Sequence, residues 1–128
     1  LIKKINIITD SRIANSNFFD KELSNISELT IPKRVKNSKQ VFHIYVIRAK
    51  KRNKLKKYLN SNGIDAKIHY PTPMHLQPAA KFLKYKKGDF PIAEDICKTV
   101  ISLPVHEFIT KTQRNFVVKK IKEFYTDL

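Results

Sequence analysis

Four side chains within nine positions, His69, Tyr70, His75 and Gln77, carry the donors and acceptors from which a site for a polar ligand can be built. They fall in IHYPTPMHLQP, residues 68–78, a segment held by Pro71, Pro73 and Pro78. An imidazole and a phenol can donate to phosphate or sugar oxygens, and a loop whose φ angles proline fixes presents them at low entropic cost. The same residues also have a purely local reading. His69 and Tyr70 end a strand and can satisfy backbone groups there, while His75 and Gln77 can hold the loop by bonding carbonyls that the prolines leave free.

The remaining reactive residues point elsewhere. His43 and Tyr45 fall on one face of an expected strand, which predicts a buried, hydrogen-bonded histidine. His106 follows an extended exit and reads as structural or exposed. His69 and His75 have no cysteine or carboxylate close in sequence to complete a ligand set, so no metal site is expected. Cys97 sits among apolar neighbours in a helical pattern and reads as core, without an activating motif. There is no nucleophile elbow, and with Gly63 and Gly88 alone there can be no glycine-rich phosphate loop.

The elements that must position the loop can be read from periodicity. Ile5, Ile8, Phe18, Phe19 and Leu23 predict a helix over 1–25, with a bend at Asn15-Ser16-Asn17. Residues 27–40 form a connector with a short extended piece at 29–31. VFHIYVI, residues 41–47, predicts an interior strand covered on both faces, Phe42, Ile44 and Val46 on one and His43, Tyr45 and Ile47 on the other. A helix over 50–62 stops at Asn62-Gly63, with Ile64 folding back onto it. A short strand over 65–69 leads into the proline loop, and a short helix is expected at 79–83. Pro91 starts a helix to about Val100, with Ile92, Ile96 and Val100 as its stripe. After an extended exit at 101–104, Thr110 and Gln113 form a capping box before a helix with Val117, Ile121 and Phe124 inward. Helix, strand, helix, strand, loop, helix, extended piece, helix is an α/β order, a small sheet with helices packed on it.

The totals set the class. A chain of 128 residues, 41% of them hydrophobic, is one domain with enough apolar surface for a core. No apolar run approaches the roughly 20 residues of a membrane span, and the start lacks a signal-peptide pattern. One cysteine excludes an internal disulfide, so a soluble protein of a reducing, cytoplasmic compartment is expected. The net charge of +15 raises nucleic acid or an anionic membrane as a partner. Yet 21 of the 26 basic residues are lysines scattered from Lys3 to Lys122. Base and bidentate phosphate recognition favour arginine, so neither nucleic acid nor membrane is expected. The opening residue, Leu1, leads straight into a helical stretch, which predicts a fragment of a longer chain.

Taken together, VFHIYVI, RNKLKKYLNSNGIDAKIHYPTPMHLQP and GDFPIAEDICKTVISLPVH resemble the C-terminal part of the DegT/StrS-type sugar-nucleotide aminotransferases. The IHYPTPMHLQP segment carries most of the weight, and GDFPIAE followed at the right distance by ISLPVH adds to it. Two positions depart from the pattern: Glu107, where proline often follows the histidine, and Met74, where leucine is common. The resemblance implies the small C-terminal domain of a fold type I aminotransferase, with residues 1–26 as a linking helix from a large domain and 27–128 as the small domain. It further implies a homodimer with active sites at its interface. Pyridoxal phosphate would be bound by the large domain, which supplies the Schiff-base lysine, so this stretch would hold no catalytic, cofactor-binding or metal residue and would be inactive alone. The parent enzyme would transfer an amino group, usually from glutamate, to a keto group of a nucleotide-linked deoxysugar, toward amino sugars of surface polysaccharides. His69, Tyr70, His75 and Gln77 would face the sugar nucleotide. Two alternatives stay open: a sugar 3-dehydratase of the same family, in which that lysine is replaced, and a free-standing basic module binding nucleic acid.

Overall fold

A computed structural model describes residues 2–127. Its long first helix, α1 (Ile5–Leu23), passes through Asn15-Ser16-Asn17 without the expected bend. Two of the three are buried and occupied: Ser16 Oγ donates to the Arg12 carbonyl at 2.9 Å, and Asn15 Nδ2 donates to the His106 carbonyl at 3.1 Å, while Asn17 faces solvent. The Ser16 hydroxyl is thus absorbed by the helix itself, and the Asn15 amide, which would compete with the helix in water, is consumed by a tertiary partner.

Three short strands follow, β1 (Leu29–Thr30), β2 (Tyr45–Ala49) and β3 (Val100–Leu103), in one antiparallel sheet of order β1-β2-β3. The expected strand over 41–47 is therefore displaced toward the C-terminus. Phe42 takes a left-handed φ of 50°, which breaks extended geometry before Tyr45 can join the ladder. As a result His43, expected buried beside Tyr45, is exposed. The strand is interior, lying between β1 and β3, but its two faces differ. Tyr45, Ile47 and Ala49 are buried while Val46 and Arg48 are partly exposed. The register pairs Tyr45 with Leu103 and Ile47 with Ile101, which places these four on one face, and Val46 with Ser102 and Arg48 with Val100, which places those on the other.

The first face carries the core. Phe19 and Leu23 of α1, Leu55 and Leu59 of α2 (Arg52–Ser61), and Val117, Val118 and Ile121 of α4 (Lys111–Thr126) pack with Tyr45, Ile47, Ile101 and Leu103. Lys51, at φ 53°, delays the start of α2 beyond the expected Lys50. Gly63 ends it at φ 76°, and the Ile64 N–H returns to the Leu59 carbonyl at 3.0 Å, as the Asn-Gly stop predicts. The capping box of α4 is complete, with Thr110 and Gln113 each accepting from the other's backbone N–H.

The second face is covered by α3 (Pro91–Thr99), whose Asp95 and Thr99 both bond to Arg48. Its expected apolar stripe is only partly buried. Ile92 is 76% exposed and Ile96 39%, while Glu94 turns inward. The inward position is taken by the carboxylate because loop donors converge on it. The strand expected over 65–69 is reduced to a bridge between Lys67 and Ser102. Extending the pairing would need the Val100 carbonyl opposite His69, which Arg52 already takes, and an N–H opposite Asp65, where Pro104 has none, so the ladder stops at one bridge.

Candidate functional site

The proline segment leaves the Lys67 bridge and runs beside α3 as 3-10 turns, Met74–Leu76 and Pro78–Leu83. Proline at 73 and 78 supplies the fixed φ, and the short turns leave carbonyls that side chains must satisfy. Gln77 does part of this, its Nε2 donating to the Thr72 carbonyl at 3.4 Å.

The four loop residues separate into two neighbouring hollows. Tyr70, His75 and Gln77 line a mostly apolar groove of about 550 Å³, walled on its far side by Leu83, Tyr85 and Phe90. Cys97, expected in the core, is half-buried in the wall of this groove, because α3 turns that flank toward the loop instead of the sheet. His69 lines a smaller, more polar hollow of about 350 Å³ with Arg12, His43, Lys67, Ser102 and His106. The two are joined by the side chains of consecutive residues. The His69 and Tyr70 rings meet edge to face at 5.5 Å, and Tyr70 stands 68% exposed between the openings.

Each histidine is oriented by a named partner. His69 Nδ1 lies 2.9 Å from Ser102 Oγ, on the second face of β3, which leaves Nε2 as its free polar atom. His75 does not bond the proline-freed carbonyls of its loop. Its Nε2 instead lies 3.1 Å from Glu94 Oε1 of α3, and its ring packs at 4.8 Å against Phe90. The same carboxylate oxygen accepts the Gly88 N–H at 2.6 Å. Gly88 adopts φ 101°, a conformation open to glycine, and this aims its N–H inward.

Electrostatics reinforce the geometry. The Gly88 N–H, more than His75, holds the Glu94 carboxyl below its ordinary range. Glu107 is likewise held low, first by its own backbone N–H and then by Arg12, whose guanidinium approaches it to 2.8 Å at the rim of the smaller hollow. A carboxylate depressed in the folded state binds fewer protons there than when unfolded. It therefore contributes stability that is full above the ordinary value of 4.5 and is lost as pH falls through the depressed value. Melting temperature should accordingly fall below about pH 4.5. In Glu94→Gln this acid limb should be visibly shallower, and an unchanged limb would show that Glu94 does not gain from its donors.

Sequence reasoning did not single out Glu94, Ser102 or Arg12. Glu94 follows Pro91 in a helical first turn, where an acidic residue ordinarily complements the helix dipole, so nothing local marked it as inward. The departure at Glu107 was visible, and its partner Arg12 lies 95 residues away. The arginines of the chain are engaged internally. Arg12 bonds Glu107, Arg34 bonds Asp20, Arg48 bonds Asp95, Arg52 bonds two carbonyls and Arg114 bonds Asn15. None is left as a fork for phosphate, and the lysines are distributed over the exposed surface.

Among the described residues, no group of three or more His, Cys, Asp or Glu is placed to hold a metal ion, and no helix is long and apolar enough to cross a membrane. Neither hollow has the donor set of an aldehyde cofactor with a phosphate. The groove contains no lysine, and Lys67 of the smaller hollow is drawn 2.9 Å from Asp65.

Residues 2–122 match the model of the DegT/DnrJ/EryC1/StrS aminotransferase family. A "pleiotropic regulatory protein" of Geobacillus stearothermophilus is 45% identical over 94 residues, 73% of this chain and 25% of that protein. The dTDP-3-amino-3,4,6-trideoxy-alpha-D-glucose transaminase of Streptomyces venezuelae is 29% identical over 102 residues, 80% of this chain and 27% of its own length. Among solved structures, S. venezuelae DesV in complex with a ketimine intermediate superposes with a TM-score of 0.93 at 26% identity, over 97% of this chain and 33% of that one. The chain thus spans between a quarter and a third of the length of these three proteins.

Proposed function

Because the chain belongs to the DegT/DnrJ/EryC1/StrS aminotransferase family, we propose that it is the small C-terminal domain of a pyridoxal-phosphate-dependent enzyme that aminates a keto group of a nucleotide-linked deoxysugar. On this reading residues 1–26 link it to a large domain, residues 27–128 form the small domain, the enzyme is a cytoplasmic homodimer, and glutamate is the amino donor. Pyridoxal phosphate, held by the large domain, supplies the electron sink for amino-group transfer. The residues of this chain bind, orient and exclude water.

The observation that carries the reading is the His69–Tyr70 pair. One residue opens on a polar hollow with cationic and imidazole groups, the other on an apolar groove, and the two rings touch. A sugar nucleotide has this same duality, with phosphates and hydroxyls beside flat apolar faces of its rings. Among the described residues His69 Nε2 and the Tyr70 hydroxyl have no partner at the junction, and Gln77 steadies the loop behind them. His69→Ala and Tyr70→Ala in the full-length enzyme should each raise KM for the nucleotide sugar by about tenfold, the worth of one well-made hydrogen bond, while KM for glutamate stays put. Unchanged KM values for the sugar nucleotide in both variants would remove the substrate-facing role of this domain.

A further inference from the structure

Glu94 is the one buried carboxylate among the described residues, and no residue of the proposed substrate pair touches it. Its Oε1 takes two donors at once, the Gly88 N–H at 2.6 Å and His75 Nε2 at 3.1 Å, with both side chains less than 10% exposed. An ionised carboxylate offers acceptors only, so His75 must present its proton at Nε2. In a neutral imidazole that choice makes Nδ1 an acceptor. Phe90 fixes the plane of the ring, and Nδ1 has no protein partner among the described residues. His75 meanwhile lines the apolar groove beside Tyr70 and Gln77.

We propose that Glu94 is a positioning residue that locks His75 in the Nε2–H tautomer, so that Nδ1 accepts a hydrogen bond from a sugar hydroxyl lodged in the groove. This rests on the sugar-nucleotide reading for the identity of the ligand, but not for the tautomer, which is a property of the protein alone. The assignment divides labour along the loop: the Tyr70 hydroxyl has a proton to give at the junction, and His75 supplies an acceptor deeper in. A hydroxyl, which both donates and accepts, suits that pair, whereas a methyl or hydrogen at the same ring position leaves the acceptor unmet. Glu94 thereby contributes to telling a hydroxylated ring carbon from a deoxygenated one.

The test uses full-length protein labelled with nitrogen-15 in its histidines, without ligand, at pH 8. Ring proton–nitrogen correlation spectra report the tautomer, with the His75 signals assigned by their loss in His75→Gln. The unaltered protein should show His75 as Nε2–H. In Glu94→Gln the new amide can donate to Nε2, and the ring should move to Nδ1–H. KM for the nucleotide sugar should then rise by about tenfold with kcat within about twofold, the loss of one acceptor. A native ring that is Nδ1–H, or doubly protonated at this pH, overturns the proposal even if the variant fails to fold. A tautomer that switches with no change in KM overturns the sugar-accepting role of Nδ1. If the His69 and Tyr70 variants leave KM unchanged while the native spectrum shows Nε2–H, the substrate reading falls and the lock by Glu94 stands.

Discussion

Phe19→Ala should lower the stability of the full-length protein by about 3–5 kcal/mol, the usual cost of removing a buried aromatic ring. Phe19 is fully buried. Its ring meets Tyr45 at 5.3 Å and Phe18 at 5.8 Å, where α1 lies over the sheet. Tyr45 cannot move to fill the space, because its hydroxyl donates to Asp20 at 2.7 Å, and Asp20 is in turn gripped by Arg34. Burial first, and then Asp20, push the Tyr45 phenol far above its ordinary pKa, with Arg34 opposing. A cavity at Phe19 is therefore one the surroundings cannot collapse into, which puts the loss toward the upper end. Urea unfolding measures it, with exposed Lys21→Ala on the same helix expected within about 0.5 kcal/mol of the unaltered protein. A loss below about 1 kcal/mol for Phe19→Ala would mean that α1 does not share the core of the sheet.

Arg52→Ala is the second large effect, about 2–4 kcal/mol by the same measurement. The guanidinium is buried, and it donates to the Val100 carbonyl at 2.8 Å and the Cys97 carbonyl at 3.0 Å. These are groups at the end of α3 and the start of β3 that have left the helical ladder without entering another. Burial pulls the Arg52 pKa below its ordinary value, and Nε has no partner, so part of the gain is offset by desolvation. Truncation leaves two carbonyls stranded, each worth about 1.5–3 kcal/mol as a partner of a charged donor. Arg52→Lys should recover little, since a single ammonium cannot span both oxygens. If alanine and lysine variants both unfold with the unaltered protein, the fork is not holding the α3–β3 junction.

How far the sequence revealed the molecule depends on the range over which each residue's partner lies. The helices with local punctuation were legible: Asn62-Gly63 for the end of α2, Pro91 for the start of α3, Thr110 with Gln113 for α4. Helix α1 was visible in its apolar residues, but the buried roles of Asn15 and Ser16 were not, because the Asn15 partners, His106 and Arg114, are more than 90 positions away. The strand around Tyr45 was visible as composition and wrong in its limits, since one left-handed residue, Phe42, overrides β-propensity across residues 41–44. The loop residues were identified as a group from their types and spacing. That they divide between two hollows follows from the second face of the sheet, where Ser102 draws His69 one way and Glu94 draws His75 the other. Periodicity alone would have assigned α3 an apolar stripe, and it could not show that a carboxylate has taken the inward position.

The contacts of α1 have a temporal consequence. Arg12 meets Glu107 across 95 residues, Asn15 meets His106 across 91, and Arg114 returns to Asn15 across 99. Within this stretch α1 thus leaves the ribosome well before the segments around residues 106–114 on which it packs. Until those emerge, Phe19 and Leu23 lack part of the pocket that buries them, and apolar surface left uncovered invites aggregation. Contacts of such sequence span slow folding, because the loop must close before any of them is rewarded. Synthesis of this domain is therefore a race between translation of α4 and aggregation of an uncovered α1, and slowing the ribosome between residues 30 and 110 should worsen the yield of native protein.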